Sequence, residues 1–253
     1  MAADRVKADA VASVATAAKG QTFDVALRFK IAKDWHLYWI NPGETGQAPR
    51  VTWTAPAGVT VGDLKFPVPE KLITESMLAT YGYEHELVLL APVTVGPEVK
   101  GPIELKADVD LIVCKSECES ESEKIALSIP VADASTPANE ADFATWRAQQ
   151  PQRDNPPKAD VKIAADRKAG EVRIELPKGA QAAGFFAPAV PFADFEPSSQ
   201  TVTEGDKQFH VTRFRVLPGD HKDLAEVAIL QVKSADGKVI SYEIPCRFTM
   251  NRG

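Results

Sequence analysis

The sequence has few cysteines and no long apolar run. Three cysteines in 253 residues are too few for a disulfide scaffold, and an odd number leaves at least one of them unpaired. No stretch approaches the roughly 18 to 20 apolar residues of a membrane-spanning helix, and the first ten residues are too polar for the core of a signal peptide. The chain as given is therefore expected to be soluble.

Clusters of basic residues and nucleotide-binding motifs are also missing. The net charge is −6 and the pI is near 5.4, so the electrostatic footprint of a nucleic-acid-binding protein is absent and no nucleic-acid partner is expected. The sequence contains no G-x-S-x-G, P-loop or dinucleotide fingerprint, which excludes the commoner hydrolase, nucleotide-binding and flavin classes. Apolar residues make up 44% of the chain and charged residues 25%, as in an ordinary globular protein.

Strand patterns dominate what is present. Short segments alternate between apolar and polar residues, are rich in β-branched and aromatic side chains, and are separated by Pro, Gly and Asp. The predicted strands are residues 22–31, 50–54, 87–95, 103–114 and 124–131 in the first half, and residues 160–165, 171–176, 208–216, 226–233 and 239–248 in the second. The pattern predicts an all-β protein, and the length favours two β-sandwich domains.

A change of composition marks the predicted boundary between these domains. Residues 134–158 are rich in Pro, Ala and polar residues, with a short helix predicted within residues 139–150 and ended by the prolines that follow. We interpret this segment as a linker between a first β domain, residues 1–133, and a second, residues 159–253. Cys246 lies in the second domain and is expected to be the unpaired cysteine, a small buried residue without a catalytic role.

Cys114 and Cys118 are the residues that most directly indicate chemistry. Along residues 103–113 the apolar side chains share one face of the predicted strand, so Cys114 falls on the other, wetter face. Four residues along a straight strand span about 13 Å, whereas bridged cysteines need Cα atoms within about 7 Å. If the two are bonded, the chain must turn between them, and both sulfurs are then expected at the end of the sheet, accessible to a partner.

From the spacing alone, a redox-active pair and a structural bridge are equally favoured. So short a loop yields little stabilisation through loop closure, and short, tight disulfides tend to be reducible. Lys115 is the only cation nearby, and the acidic side chains of residues 117, 119, 121 and 123 are expected to crowd the pair and to disfavour a thiolate. The pattern favours a site that waits for a docked partner over a strongly activated nucleophile.

Five blocks of sequence together resemble a known family. They are residues 35–43 (WHLYWINPG), 52–58 (TWTAPAG), 66–70 (FPVPE), 81–84 (YGYE) and 107–118, which ends in the cysteine pair. In their order and spacing they resemble the DsbD N-terminal-domain family, and within it the periplasmic N-terminal region of ScsB-type membrane electron transporters. Residues 184–190 (GFFAPAV) and the strands after them resemble the second β domain of those proteins.

The resemblance implies two immunoglobulin-like domains in tandem and a protein-disulfide reductase module. Cys114 and Cys118 would cycle between disulfide and dithiol with no cofactor beyond the pair itself. They would receive electrons from a membrane-embedded domain, expected in the same full-length protein, and pass them to thioredoxin-fold partners in the periplasm. Aromatic residues of a cap loop shield the cysteines in DsbD relatives, and Tyr81 and Tyr83 lie in the corresponding block. Trp39 is a third candidate for facing the cysteines.

A second hypothesis is a periplasmic module that binds a protein or copper and uses the disulfide only as a structural bridge. His36 and His85 are the histidines that could join the cysteines around a soft metal. No tight Cys/His cluster with the spacing of a zinc or copper site occurs, so no metal site is predicted. The measured redox potential would separate the two hypotheses.

Overall fold

The computed structural model describes residues 5–43, 45–73 and 79–250 and divides the chain into two compact units. The division falls between residues 150 and 151, so the helical segment that the sequence analysis assigns to a linker lies within the first unit. Both units consist almost entirely of β-strands, in agreement with the predicted tandem of immunoglobulin-like sandwiches. No helix in the described part of the chain is long and apolar enough to cross a membrane.

The first unit contains thirteen of the described strands and one helix. They are β1 (Val6–Ala12), β2 (Val14–Ala18), β3 (Thr22–Ile31), β4 (His36–Gly43), β5 (Arg50–Thr54), β6 (Val59–Val61), β7 (Glu70–Ile73), β8 (Ala79–Glu84), β9 (Glu86–Val95), β10 (Ile103–Cys114), β11 (Cys118–Ile129), β12 (Val131–Ala132), β13 (Thr136–Pro137) and α1 (Glu140–Ala148). One sheet has the order β1-β3-β9-β6. A second has the order β11-β10-β4-β8-β7, with β5 also paired to β10, and a small third sheet has the order β12-β2-β13.

Side chains alternate between buried and exposed along β10, and the buried ones form the core side of the second sheet. The odd-numbered residues from 103 to 113 are buried, while the even-numbered residues from 104 to 110 are exposed. Ile103 and Leu105 pack against Val25 and Val93 of the first sheet. Because side chains alternate across a strand, Cys114 lies on the face away from this core, as the pattern predicts.

Helix α1 covers the outer face of the first sheet. Phe143 and Trp146 lie three residues apart, on one face of the helix, and are buried against Ala26, Val88 and Leu90. Arg147 at the end of the helix binds the Asp24 carboxylate of β3, and the Asn139 amide before it donates to the Ala12 carbonyl. The helix therefore packs as part of the first unit, because without it a strip of apolar sheet would be exposed to water.

The second unit is a sandwich of two sheets. Its strands are β14 (Ala159–Ile163), β15 (Ala169–Glu175), β16 (Gln181–Phe186), β17 (Ala193–Glu204), β18 (Lys207–Val216), β19 (Leu224–Lys233) and β20 (Val239–Phe248). The sheets have the orders β14-β15-β18-β17 and β16-β19-β20. Val172, Phe214, Leu230 and Phe248 from both sheets meet in one core. A tight turn, closed by a hydrogen bond from the Ser234 amide to the Lys238 carbonyl, joins β19 to β20.

His210 is buried within the second unit and makes its stability dependent on pH. Its Nε2 lies 3.1 Å from the Thr212 hydroxyl, and its ring packs 4.8 Å from that of Phe185. Burial lowers the pKa of His210 from 6.5 to about 4, because the interior disfavours the charged imidazole.

We expect this buried histidine to destabilise the second unit on acidification. Between pH 6.5 and 4 the unfolded chain binds a proton at His210 that the folded chain does not, so stability is complete above pH 6.5 and falls by about 3 kcal/mol by pH 4. Calorimetric unfolding at pH 7 and pH 4 measures the loss. The His210→Gln variant should lose that part of the pH dependence, whereas His85→Gln, at an exposed histidine of the first unit, should keep it. An equal pH dependence in all three proteins would contradict the assignment.

Candidate functional site

A tight hairpin holds the cysteine pair at the end of the second sheet. Cys114 is the last residue of β10 and Cys118 the first of β11, and the two are Cα partners in the ladder. Their Cα atoms are 4.1 Å apart and their sulfurs form a disulfide. The Lys115 amide donates to the Glu117 carbonyl and closes the turn. The spacing argument for a turn is therefore confirmed.

The two sulfur-bearing residues differ in their access to solvent. Cys118 is exposed, whereas Cys114 is only 2% exposed. Cys114 has Cys118 as its neighbour on one side and His36 of β4 as its Cα partner on the other, so strands flank it on both sides. The expectation that both cysteines are accessible is wrong for Cys114, so Cys118 is the more open of the two to an incoming thiolate.

Two polar side chains of β4 lie next to the exposed cysteine. The Tyr38 hydroxyl oxygen is 3.6 Å from the Cys118 sulfur, and His36 Nε2 is 3.2 Å from the same hydroxyl. The two rings meet edge to face, with centroids 5.0 Å apart. A disulfide sulfur carries no hydrogen, so in this state Tyr38 is the donor towards Cys118. The sequence analysis considered His36 only as a metal ligand and assigned no role to Tyr38.

Burial sets the charge state of both side chains. It lowers the pKa of His36, although the carboxylate of Glu84, its Cα partner on β8, acts in the opposite direction. It raises the pKa of Tyr38, partly opposed by a hydrogen bond with Thr45. At neutral pH His36 is therefore a neutral imidazole and Tyr38 a neutral phenol. The phenol can exchange a proton with the Cys118 sulfur, and the imidazole can do so with the phenol.

The three predicted shielding residues lie on the opposite face of the same strands. Leu37 is the Cα partner of Tyr83, so alternation places Tyr81, Tyr83 and Trp39 on the face away from His36 and Cys114. Tyr83 is buried and donates to the Pro67 carbonyl at 2.8 Å. Trp39 is buried and meets Tyr81 edge to face at 6.4 Å. Their shielding role stays a prediction, and residues 74–78 of the same segment lie outside the described residues.

The charges predicted to crowd the disulfide are largely turned away from it. Glu119 and Glu121 alternate onto the other face of β11, where Arg5 binds both. Lys115 is 3.1 Å from the Asp34 carboxylate. The expected crowding is therefore wrong for Glu119 and Glu121, and the ammonium group of the nearby cation binds Asp34. The hydroxyl of Tyr38, and not a charged side chain, is the polar group in contact with Cys118.

A glycine fixes the position of the Tyr38 ring. Gly46 has φ +93°, in the region that favours glycine. A Cβ atom placed on it would lie 2.2 Å from ring atoms of Tyr38, so only a hydrogen fits between the backbone and the ring. Gly46 therefore holds the tyrosine against the cysteine hairpin.

We expect Gly46→Ala to destabilise the first unit by about 2 to 4 kcal/mol, because it combines backbone strain with displacement of a buried ring. Denaturant unfolding followed by tryptophan fluorescence measures the loss. Gly101→Ala is the matched control, since Gly101 has φ +79° and no atom near its Cβ position. It should show only the strain, about 1 to 2 kcal/mol. Equal losses in the two variants would show that the ring contact contributes nothing.

A groove extends from the cysteine hairpin along the same face of the sheet. Its volume is about 570 Å³. Asp110 and Ile112 of β10 and Ser120 and Ser122 of β11 line it, together with Ile40, Pro42, Gly46, Gln47, Ala48 and Arg50. Ile40 is one of the large apolar side chains that the structure exposes.

The remaining candidates contribute no second centre in the described part of the chain. Cys246 is a buried free cysteine, and burial raises the pKa of its thiol to about 12, which leaves it almost without thiolate at neutral pH. Within residues 5–43, 45–73 and 79–250, no group of three His, Cys, Asp or Glu side chains could hold a metal ion. His36 contacts Tyr38 instead of taking part in such a group.

The chain resembles known proteins in its fold and, over its first 130 residues, in its sequence. The N-terminal periplasmic domain of ScsB from Proteus mirabilis has a similar fold, with a TM-score of 0.62 and 16% identity over 97% of this chain and 92% of that chain. The N-terminal domain of DsbD from Neisseria meningitidis, in the reduced form, aligns with 51% of this chain and 90% of its own, at 20% identity and a TM-score of 0.31. No curated protein sequence matches the chain significantly. The family described as thiol:disulfide interchange protein DsbD, N-terminal, matches residues 2–130, and the chain belongs to this family.

Proposed function

We propose that the protein is a protein-disulfide reductase module that relays electrons between thiol proteins through Cys114 and Cys118. The observation that carries the proposal is the unequal exposure of a bonded pair, with Cys118 in solvent and Cys114 buried beside it. Such a pair has one sulfur that a partner can attack and a second that is held in place to resolve the product. Family membership supports the same chemistry.

The exchange proceeds through a mixed disulfide. A donor thiolate attacks Cys118 Sγ, the bond between Cys118 and Cys114 breaks, and its electron pair leaves on Cys114. A second thiolate of the same donor then attacks the donor sulfur of the mixed disulfide, which forms a disulfide within the donor and releases Cys118 as a thiolate. The donor is then oxidised and the pair is reduced. In the second half of the cycle, the Cys118 thiolate attacks a disulfide of an oxidised partner and forms a mixed disulfide with it. Cys114 then attacks Cys118 Sγ, which reforms the Cys114–Cys118 disulfide and releases the reduced partner. No cofactor beyond the pair takes part.

The partners are proposed from the family resemblance. The donor would be a membrane-embedded domain, expected in the same full-length protein, and the acceptors would be thioredoxin-fold proteins of the periplasm. The groove beside Cys118 supports docking, because a partner can contact Ile40 and Ser120 while its cysteine approaches the exposed sulfur. Lys115 is held by Asp34, so this site favours a docked partner over reaction with any small thiol.

Titration of the redox potential tests the proposal. The oxidised protein is equilibrated with thiol buffers of known potential, and the fraction of reduced Cys114 and Cys118 is measured by alkylation and mass spectrometry. An exchange module should titrate between about −120 and −270 mV, whereas a structural bridge should lie below about −300 mV. A value below that limit, together with no electron transfer to a thioredoxin-fold protein, would refute the function and favour the alternative of a binding module with a structural disulfide.

A further inference from the structure

A continuous polar contact leads from the exposed cysteine into the sheet. It runs from Cys118 Sγ to the Tyr38 hydroxyl, at 3.6 Å, and from that hydroxyl to His36 Nε2, at 3.2 Å. Tyr38 is about 1% exposed and His36 about 6%, so the contact leads away from bulk water. A thiol in position 118 would therefore have a hydroxyl beside it and, behind the hydroxyl, a base.

We propose that Tyr38 and His36 form a proton relay that activates Cys118 in the reduced protein. The Tyr38 hydroxyl oxygen takes the thiol proton and passes its own proton to Nε2 of His36. One proton is thereby moved from sulfur to imidazole, Tyr38 remains neutral, and no electrons are transferred. The hydroxyl then donates to the thiolate that it has helped to form. Reversal of the same steps returns the proton when Cys118 leaves a mixed disulfide.

The surroundings of the relay are consistent with each step. A phenol whose pKa is raised by burial keeps its proton between transfers, and an imidazole whose pKa is lowered by burial is unprotonated and able to accept. Glu84, the Cα partner of His36 on β8, stabilises the imidazolium. On β10 the Cα partner of His36 is Cys114, which carries no charge in the disulfide. At the adjacent turn the charges of Asp34 and Lys115 are paired with each other.

Tyr38 touches the reacting sulfur and is a catalytic residue, whereas His36 acts through Tyr38. Lys115, in the turn between the cysteines, does not replace the relay, because its ammonium group is bound by Asp34. A thiolate is the nucleophile in exchange, and a charge-assisted hydrogen bond favours it by about one pKa unit. The relay therefore supplies the activation that the missing positive charge would provide in other thiol sites.

The relay can be measured on a chain with a single accessible thiol. In a Cys114→Ala background Cys118 is the reactive cysteine, since Cys246 is buried with a thiol pKa of about 12. The rate of alkylation by iodoacetamide as a function of pH yields the apparent pKa of Cys118. We expect Tyr38→Phe, which retains the ring, and His36→Gln, which retains a hydrogen-bond acceptor, each to raise that pKa by about one unit. Alkylation at pH 7 should slow about tenfold.

Tyr242→Phe and His221→Gln, in the second unit, are the matched controls and should leave the pKa unchanged. An unchanged pKa in Tyr38→Phe or in His36→Gln overturns the relay, and if only Tyr38→Phe raises it, Tyr38 acts as a hydrogen-bond donor without His36.

A measurement without substitution covers the case in which a variant does not fold. In the reduced natural protein, the NMR resonances of the His36 ring should show a second inflection at the pKa of Cys118, and the oxidised protein should show none. Absence of that inflection also overturns the relay.

The relay rests on the proposed exchange function, and the two fail differently. If exchange with a thioredoxin-fold protein continues at an unchanged thiol pKa in the variants, only the relay is refuted. If the natural protein does not exchange at all, the proposed function is refuted whatever the pKa of Cys118.

Discussion

Cys118→Ser is expected to abolish thiol–disulfide exchange, whereas Cys114→Ser is expected to capture the partner covalently. In Cys114→Ser the exposed thiol of Cys118 can still attack an oxidised thioredoxin-fold protein, but no second thiol resolves the product. In Cys118→Ser the remaining thiol of the pair is buried, and exchange should fall to the rate without protein. Non-reducing electrophoresis and mass spectrometry of the mixed disulfide measure both results.

Cys246→Ala is the matched control for this asymmetry. Cys246 is as deeply buried as Cys114 but lies in the other unit. Its replacement should leave the rate of exchange unchanged and should trap no complex. Capture by Cys118→Ser in place of Cys114→Ser would mean that the buried sulfur is the one attacked. That result would contradict the reaction sequence derived from the exposure of the two residues.

The unequal exposure of the sulfurs also explains why strong activation by charge is not required. Only Cys118 is open to a partner, and it must be approached along the face that carries the groove. Asp34 holds Lys115, and Arg5 holds Glu119, so few free charges act directly on the sulfur. In the proposed exchange, reactivity then depends on docking and on the hydroxyl of Tyr38, which acts at short range.

Local pattern was sufficient to predict the strands that alternate clearly. The predicted ranges 22–31, 50–54, 103–114 and 239–248 coincide with β3, β5, β10 and β20. Alternation also placed Cys114 on the correct face, and the turn between the cysteines followed from the reach of an extended chain. These features depend on residues close together in sequence, so a single sequence is enough to recognise them.

The neighbours of the disulfide could not be predicted in the same way. Tyr38 is 80 residues from Cys118, and their contact depends on how β4 is placed beside β10. Such a register is set by the whole sheet and not by a local pattern. One signal was available, since His36 and Tyr38 are two residues apart and must share a face if residues 36–43 form a strand.

The packing of helix α1 on the first sheet has a signal that the sequence does contain. Residues 87–91 of β9 form a continuous apolar run instead of an alternating one, and all five are buried. A strand with two buried faces needs a second layer over its outer side. The segment carrying Phe143 and Trp146 has aromatic residues at helical spacing and a predicted helix. Its role as a cover for the sheet could therefore have been inferred before the structure.

Phe143→Ala is accordingly expected to lower the free energy of unfolding of the first unit by about 3 to 5 kcal/mol. Phe143 is fully buried between the helix and the sheet, and removal of an aromatic side chain from such a site leaves a cavity that the structure fills only in part. Denaturant unfolding followed by tryptophan fluorescence measures the change. All four tryptophans lie between residues 35 and 146, so the signal reports on the first unit alone.

Thr145→Ala separates packing from helix formation. Thr145 is on the exposed side of the same helix and donates to the Ala141 carbonyl, so its replacement should change stability by no more than about 0.5 kcal/mol. If the helix were only a linker, Phe143→Ala would be as mild as this control. A large loss in Phe143→Ala alone requires the helix to be part of the fold that carries the cysteine hairpin. A first domain cut at residue 133 would then be strongly destabilised.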